Sequence, residues 1–126
     1  MNKNTEQLVD ALIRVCVFVH TSRNWEDYEN MYLDNQALDA MTNWVASTLD
    51  IDKDSIVGMV DEISKSQFTN FKTDWSIACI QVTNVISLLN SEDKLLVQNY
   101  IKDLVHTTLK DDAGVTKAID KILAKL

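Results

Sequence analysis

Apolar residues recur at helical spacing along nearly the whole chain, and the first helix is the most apolar. It reads LVDALIRVCVFVH from Leu8 to His20. Its few polar positions fall on one narrow stripe, so we expect this helix to lie at the centre of the fold, covered by its neighbours. Asn4, followed three residues later by Gln7, forms a capping-box pattern and predicts that the helix begins there.

Six further segments show the same periodicity and predict six more helices. The third helix of the chain is predicted from about Asn35 to Leu49, and the fifth has the most regular apolar stripe. The six segments begin near Asn24, Asn35, Asp50, Thr73, Ser91 and Gly114.

Turn-forming residues are scarce, because the chain contains no proline and only two glycines, Gly58 and Gly114. Proteins built from strands need such residues at their turns, so we predict an all-α fold. The expected architecture is a single domain over residues 1–126, with about seven helices in a compact bundle. Similar pentapeptides, FVHTS (18–22) and LVHTT (104–108), end the first and sixth helices and suggest two pseudo-repeated halves. The predicted core includes Val15, Cys16, Cys79, Val82, Ile101 and Ile119.

The balance of charge narrows the classes of partner. Twelve basic and nineteen acidic residues give a net charge of −7, and no cluster of Lys or Arg could bind phosphate backbones or anionic lipid. We therefore predict no nucleic-acid partner and no membrane partner, while an acidic mimic of nucleic acid stays open. No apolar run approaches the ~20 residues of a membrane span, and the polar start MNKNTEQLVD lacks the layout of a signal peptide. A cytoplasmic location is expected.

The segment Asp50–Asp61, DIDKDSIVGMVD, has the alternating aspartates of a calcium loop. An EF-hand loop has glycine at position 6 and a bidentate glutamate at position 12. Here Ser55 and the shorter Asp61 occupy those positions, and apolar residues at helical spacing follow. The pattern therefore favours a helix start, with Asp52 or Asp54 as the N-cap.

The histidines and cysteines form no recognisable motif. His20 and His106 each lie where an apolar helix ends, and capping of the last carbonyls would raise their pKa values. A metal pair across the two halves is the alternative. Cys16 and Cys79 are expected to be buried, reduced thiols. Nucleophile motifs and phosphate loops are absent from the sequence, so we predict no enzymatic activity and no cofactor.

Three aromatic residues, Trp25, Tyr28 and Tyr32, share one short and highly charged segment. Aromatic side chains next to charges are typical of protein interfaces, so these are the candidate interaction residues. The alternative is that they attach the second helix to the core. We predict a non-enzymatic interaction module that binds another protein or a second copy of itself.

The C-terminal run EDKLLVQNYIKDLVHTTLKDDAGVTKAIDKILAKL resembles the second half of the tellurite-resistance TerB-like proteins. Those proteins are compact all-α domains of two related halves, each with an Asp-Gly pair and a glutamate in the following helix. Here DDAG (111–114) stands in place of the Asp-Gly pair, and Asp120 occupies the glutamate position. In the first half, HTSR (20–23) replaces the pair, and Glu29 is the candidate for the glutamate.

The TerB-like resemblance implies an alternative to the interaction module. Members are cytoplasmic, stress-associated proteins in which acidic residues are proposed to bind a cation. On this alternative, Asp112 and Asp120 would be ligands of a divalent metal ion.

Overall fold

The computed structural model describes residues 2–24, 33–105 and 113–126. Within these residues the protein is helical and contains no β-strand, which confirms the all-α prediction. The segment after Asn24, predicted to form the second helix, lies outside the described residues. A 3-10 turn (Ser22–Asn24) follows the helix that ends at Thr21, and a π-helical turn (Ile101–Val105) follows the helix that ends at Tyr100. The six described α-helices are α1 (Lys3–Thr21), α2 (Asn35–Leu49), α3 (Lys53–Thr73), α4 (Trp75–Ser87), α5 (Ser91–Tyr100) and α6 (Ala113–Leu123).

Asparagine and aspartate side chains determine where the helices begin. Asn2 Oδ1 accepts a hydrogen bond from the Thr5 N–H at 2.8 Å, so the α1 start predicted at Asn4 is wrong by two residues. Asp52 Oδ1 accepts from the Asp54 N–H at 3.1 Å, which confirms the predicted helix start in the aspartate-rich segment. Similar caps begin α2, α4 and α5, and they are supplied by Asp34, Asp74 and Asn90 respectively.

The first helix lies at the centre of the described structure, as its apolar circumference predicts. From Leu8 to Thr21 every residue of α1 is buried except Asp10 and Arg14. This helix contacts each of the other five described helices. The remaining helices therefore act as a shell around α1 and turn their apolar faces towards it.

The buried apolar side chains of the described residues form one cluster. Cys79, which was predicted to lie in the core, is only partly buried and packs against this cluster, because it sits at the edge of the inward face of α4. None of the described helices is long and apolar enough to cross a bilayer. The other predicted core residues are confirmed as buried members of the cluster: Val15, Cys16, Val82, Ile101 and Ile119.

Buried polar contacts fix the orientation of α4. Gln67 of α3 is fully buried, and its Oε1 accepts from Arg14 Nη1 at 3.0 Å. The Gln67 amide nitrogen lies 3.4 Å from the carbonyl oxygen of Ala78, to which it donates. At the beginning of α4, Trp75 Nε1 donates to Ser22 Oγ at 3.2 Å. These bonds would be lost if α4 rotated, so they determine which of its faces turns inward.

Candidate interaction surface

Among the described helices, α4 alone contains no charged residue. Its sequence is WSIACIQVTNVIS, whereas each of the other five carries at least one Asp, Glu, Lys or Arg. A surface helix normally places charged side chains on the face that it turns to water. The outward side of α4 is therefore chemically different from the outward sides of its neighbours.

Three large aliphatic side chains lie on this outward side. Ile77 is 43% exposed, Ile80 is 57% exposed and Leu88, at the C-cap, is 74% exposed. Asn84, which is also exposed, completes a stripe with the spacing i, i+3, i+7 and i+11. At 1.5 Å per residue the stripe is about 16 Å long. We refer to Ile77, Ile80, Asn84 and Leu88 as the α4 outer face.

The opposite side of α4 is held in the core. Ala78, Val82 and Ile86 are completely buried, and the Trp75 ring lies 5.2 Å from the Phe18 ring, centroid to centroid. The exposed aliphatics therefore cannot turn inward without taking these residues out of the core. The α4 outer face is a fixed feature of the fold, and burial of its side chains requires something else to cover it.

A lysine side chain of α6 packs against the first residue of α4. Lys117 Nζ is 4.5 Å from the centroid of the Trp75 ring. Burial raises the pKa of the Cys79 thiol, and the positive charges of Lys121 and Lys117 oppose that increase. The electrostatic effect of these two lysines therefore reaches Cys79, which packs against the core at the edge of the inward face of α4.

A cluster of polar side chains, His20, Arg23 and Asp34, lies where α1 ends. His20 is only 6% exposed, and its Nδ1 lies 4.0 Å from Asp34 Oδ2 and has no hydrogen-bond partner within the described residues. Arg23 Nη2 is 2.9 Å from the same carboxylate oxygen, and Arg23 Nε donates to the His20 carbonyl oxygen. The Arg23–Asp34 ion pair thus connects the end of α1 to the cap of α2.

The predicted increase in the pKa of His20 is wrong. Burial lowers the pKa of His20 to about 4, and the opposing attraction of the Asp34 carboxylate does not compensate. Desolvation of a buried imidazolium costs more free energy than the helix dipole contributes at the end of α1. The pKa of His20 is therefore lowered. His106, the other histidine, lies outside the described residues.

Most of the residues predicted from sequence to form a site fall outside the described structure. Trp25, Tyr28, Tyr32 and Asp112 are not in the described ranges, so their roles stay predictions. Asp120 is described, and it is exposed on α6. In residues 2–24, 33–105 and 113–126, no three His, Cys, Asp or Glu side chains are arranged to hold a metal ion.

Periodicity alone did not reveal the α4 outer face. The sequence predicted the buried stripe of this helix, but Ile77 and Ile80 also lie in an apolar run, and the pattern gives them no contrast with the core positions. The available signal was the absence of charge over residues 75–87. In a chain with 25% charged residues, an uncharged surface helix of that length marks an unusual face.

Comparison with known proteins adds no family to this description. No family model matches the chain, and no characterised protein or solved structure is significantly similar to it. The TerB-like resemblance therefore stays a prediction from the residues of the C-terminal run.

Proposed function

We propose that this protein is a non-enzymatic interaction module that binds another protein through the α4 outer face. The observation that carries the proposal is the stripe of three exposed aliphatic side chains on a helix without charge. Single exposed aliphatics are common on protein surfaces, but three on the same side of one uncharged helix, with only the neutral Asn84 between Ile80 and Leu88, are typical of a binding surface.

The exposed apolar area of the stripe gives a partner an energetic reason to bind there. Removal of apolar surface from water contributes roughly 25 cal/mol per Å². Ile77, Ile80 and Leu88 each expose between 43% and 74% of their area, and the fold itself leaves this area uncovered. A partner that packs on the stripe gains this contribution without rearranging the core.

The proposal also includes the location, the aromatic contact residues and the class of partner that the sequence predicts. We propose one cytoplasmic all-α domain of about seven helices, in which the second helix of the chain carries Trp25, Tyr28 and Tyr32 as additional contact residues. Its partner is a protein rather than a nucleic acid or a membrane. The TerB-like arrangement in two halves, with cation binding by Asp112 and Asp120, is the competing hypothesis.

Site-specific crosslinking tests the proposed function. A photoreactive amino acid at position 80 should form a discrete crosslink in cells that make the protein, because Ile80 lies in the middle of the exposed stripe. The same amino acid at position 99, an exposed residue of α5, serves as the matched control. The captured protein is then purified, and its affinity for the module is measured by calorimetry.

The substitution Ile80→Asp should weaken that affinity by at least about tenfold, because a carboxylate would be desolvated in the interface. Asn99→Asp makes the same charge change on α5 and should leave the affinity unchanged. An Ile80→Asp variant that keeps its circular dichroism spectrum and still binds the partner normally would contradict the proposal.

A further inference from the structure

We propose that the cavity at the end of the fold where α1 and α5 begin binds a small protonated amine with an apolar chain. The ammonium group would pair with the carboxylate of Asp93, and the chain would cover the aliphatic side chains beside it. None of the residues that line this cavity belongs to α4, so the proposal is independent of the α4 outer face and describes a second site on the protein.

The cavity has the size and the apolar walls of a small-molecule site. Its volume is about 380 Å³, and ligand pockets usually measure about 300–1,000 Å³. Leu8 is only 3% exposed, and the other aliphatic side chains are partly buried against the core cluster. An alkyl chain would bind here because it and these side chains would leave water together. The aliphatic side chains that line the cavity are Leu8, Leu49, Ile51 and Leu96.

Two asparagine side chains that line the cavity are fixed by helix capping. Asn2 Oδ1 accepts from the Thr5 N–H at 2.8 Å, and Asn90 Oδ1 accepts from the Asp93 N–H at 2.9 Å. Because these carboxamide oxygens are already used, the two side chains offer a ligand chiefly their N–H donors. Neither side chain carries a charge, so neither selects the sign of the charge on the ligand.

Asp93 selects the sign of that charge, because it is the only charged residue among those that line the cavity. It is partly buried, and no ion-pair partner lies within reach of its carboxylate in the described residues 2–24, 33–105 and 113–126. Burial raises the pKa of this carboxyl, and the neighbouring Glu92 carboxylate adds to the increase. An ammonium group would therefore stabilise a carboxylate that the fold leaves partly desolvated and without a counter-ion.

The helix dipoles do not reverse this preference. α1 and α5 both begin at the cavity, and the partial positive charge at a helix N-terminus attracts anions. Glu6 in the first turn of α1 and Glu92 in the first turn of α5 already oppose these partial charges. The whole chain also carries a net charge of −7, so a cation is attracted from a distance as well as at contact.

Three six-carbon probes that differ in charge test this inference: n-hexylamine, n-hexanol and hexanoate. At pH 7 the amine is protonated and the acid is ionised. Binding to the full chain is followed through the backbone amide signals in heteronuclear NMR spectra. We expect hexylamine to shift the signals of residues that line the cavity and to bind about fivefold more tightly than hexanol, which is the contribution of one partly exposed ion pair. Hexanoate should bind more weakly than hexanol.

Three variants separate the carboxylate from the apolar walls. Asp93→Asn removes the charge with little change of shape and should reduce the affinity for hexylamine about fivefold, to that of hexanol. The matched control, Glu92→Gln, removes the same charge from the neighbouring exposed position, which does not line the cavity, and should keep the preference for the amine. Ile51→Ala removes part of the apolar wall and should weaken hexylamine and hexanol alike. Thermal unfolding of each variant checks that it is folded.

Three outcomes would overturn the inference. Equal affinity for the amine and the alcohol, or a preference that Asp93→Asn does not change, would show that the carboxylate does not bind the ligand. Tighter binding of hexanoate would assign the cavity to an anion. Shifts on α4, with none among the residues that line the cavity, would show that the probes bind elsewhere.

Discussion

At the scale of single residues, His20 shows how burial outweighs position in a helix. It lies in the last turn of α1, where the helix dipole favours a positive charge. Yet its side chain is enclosed, and its Nδ1 is 4.0 Å from the nearest Asp34 oxygen, beyond hydrogen-bond distance. The imidazole is therefore neutral at pH 7, and folding holds it in that form.

The depressed pKa predicts that acid destabilises the fold through His20. The unfolded chain binds a proton at the ordinary histidine pKa of about 6.5, and the folded chain binds it only near a pKa of about 4. The contribution of His20 to stability is therefore complete above pH 6.5 and is lost as the pH falls towards 4. The shift corresponds to about 3 kcal/mol over that range.

Denaturant titrations of the wild type and His20→Leu measure this contribution. The variant should lose less stability than the wild type between pH 7 and pH 4.5, even if its absolute stability differs at both values. The comparison cancels the carboxylates, which titrate in both proteins. Parallel pH profiles would show that His20 is not the group responsible.

At the scale of elements, α3 contains a glycine at a position where the fold would accept a residue with a side chain. Gly58 lies in the exposed interior of this helix, and no neighbouring atom lies within 4 Å of the position that a Cβ would occupy. Glycine in a helix interior is less favourable than alanine, because the unfolded chain has more conformations to lose.

Gly58→Ala should therefore raise the free energy of unfolding by about 1 kcal/mol. Chemical denaturation of the two proteins is the measurement. The reverse substitution, Ala40→Gly at an exposed position inside α2, should lower the free energy by a similar amount and serves as the control. A destabilising Gly58→Ala would mean that the methyl group meets an atom that the structure does not place there.

The same scale shows what the sequence could and could not predict. The bounds predicted for α2, Asn35 to Leu49, are confirmed, because Asp34 caps one end and Asp50 ends the other in a left-handed conformation with φ of 52°. The start of α1 was misplaced because Asn2 and Asn4 are equally good caps by residue type. The α4 outer face could not be predicted from periodicity, since the packing of neighbouring helices decides which apolar side of a helix stays exposed.

At the scale of the whole molecule, the two thiols report on different events. Cys16 is 1% exposed in the core, and burial raises its pKa to about 12. Cys79 is half-buried at the edge of α4, and burial raises its pKa while the α6 lysines oppose the shift. Only the thiolate is nucleophilic, so Cys16 is protected both by enclosure and by protonation.

We expect iodoacetamide to modify Cys79 in the folded protein and Cys16 only when the core opens. For a small domain the open fraction is about 10⁻³ or less, so the two rates should differ by at least about a thousandfold. Mass spectrometry after timed labelling measures both rates. The variant Cys79→Ser isolates Cys16, whose rate should then follow denaturant concentration in parallel with global unfolding. Rapid labelling of Cys16 without denaturant would contradict this description of the core.

The central position of α1 also has a consequence for biosynthesis. This helix precedes in the chain all five of the described helices that cover it, so it leaves the ribosome while its apolar circumference is still uncovered. Val115, Ile119 and Ile122 of α6 belong to the same buried cluster, which therefore closes only after the α6 segment has been translated. Until then the cover of this apolar helix is incomplete, so we expect the nascent chain to expose part of it to the chaperones that bind apolar segments.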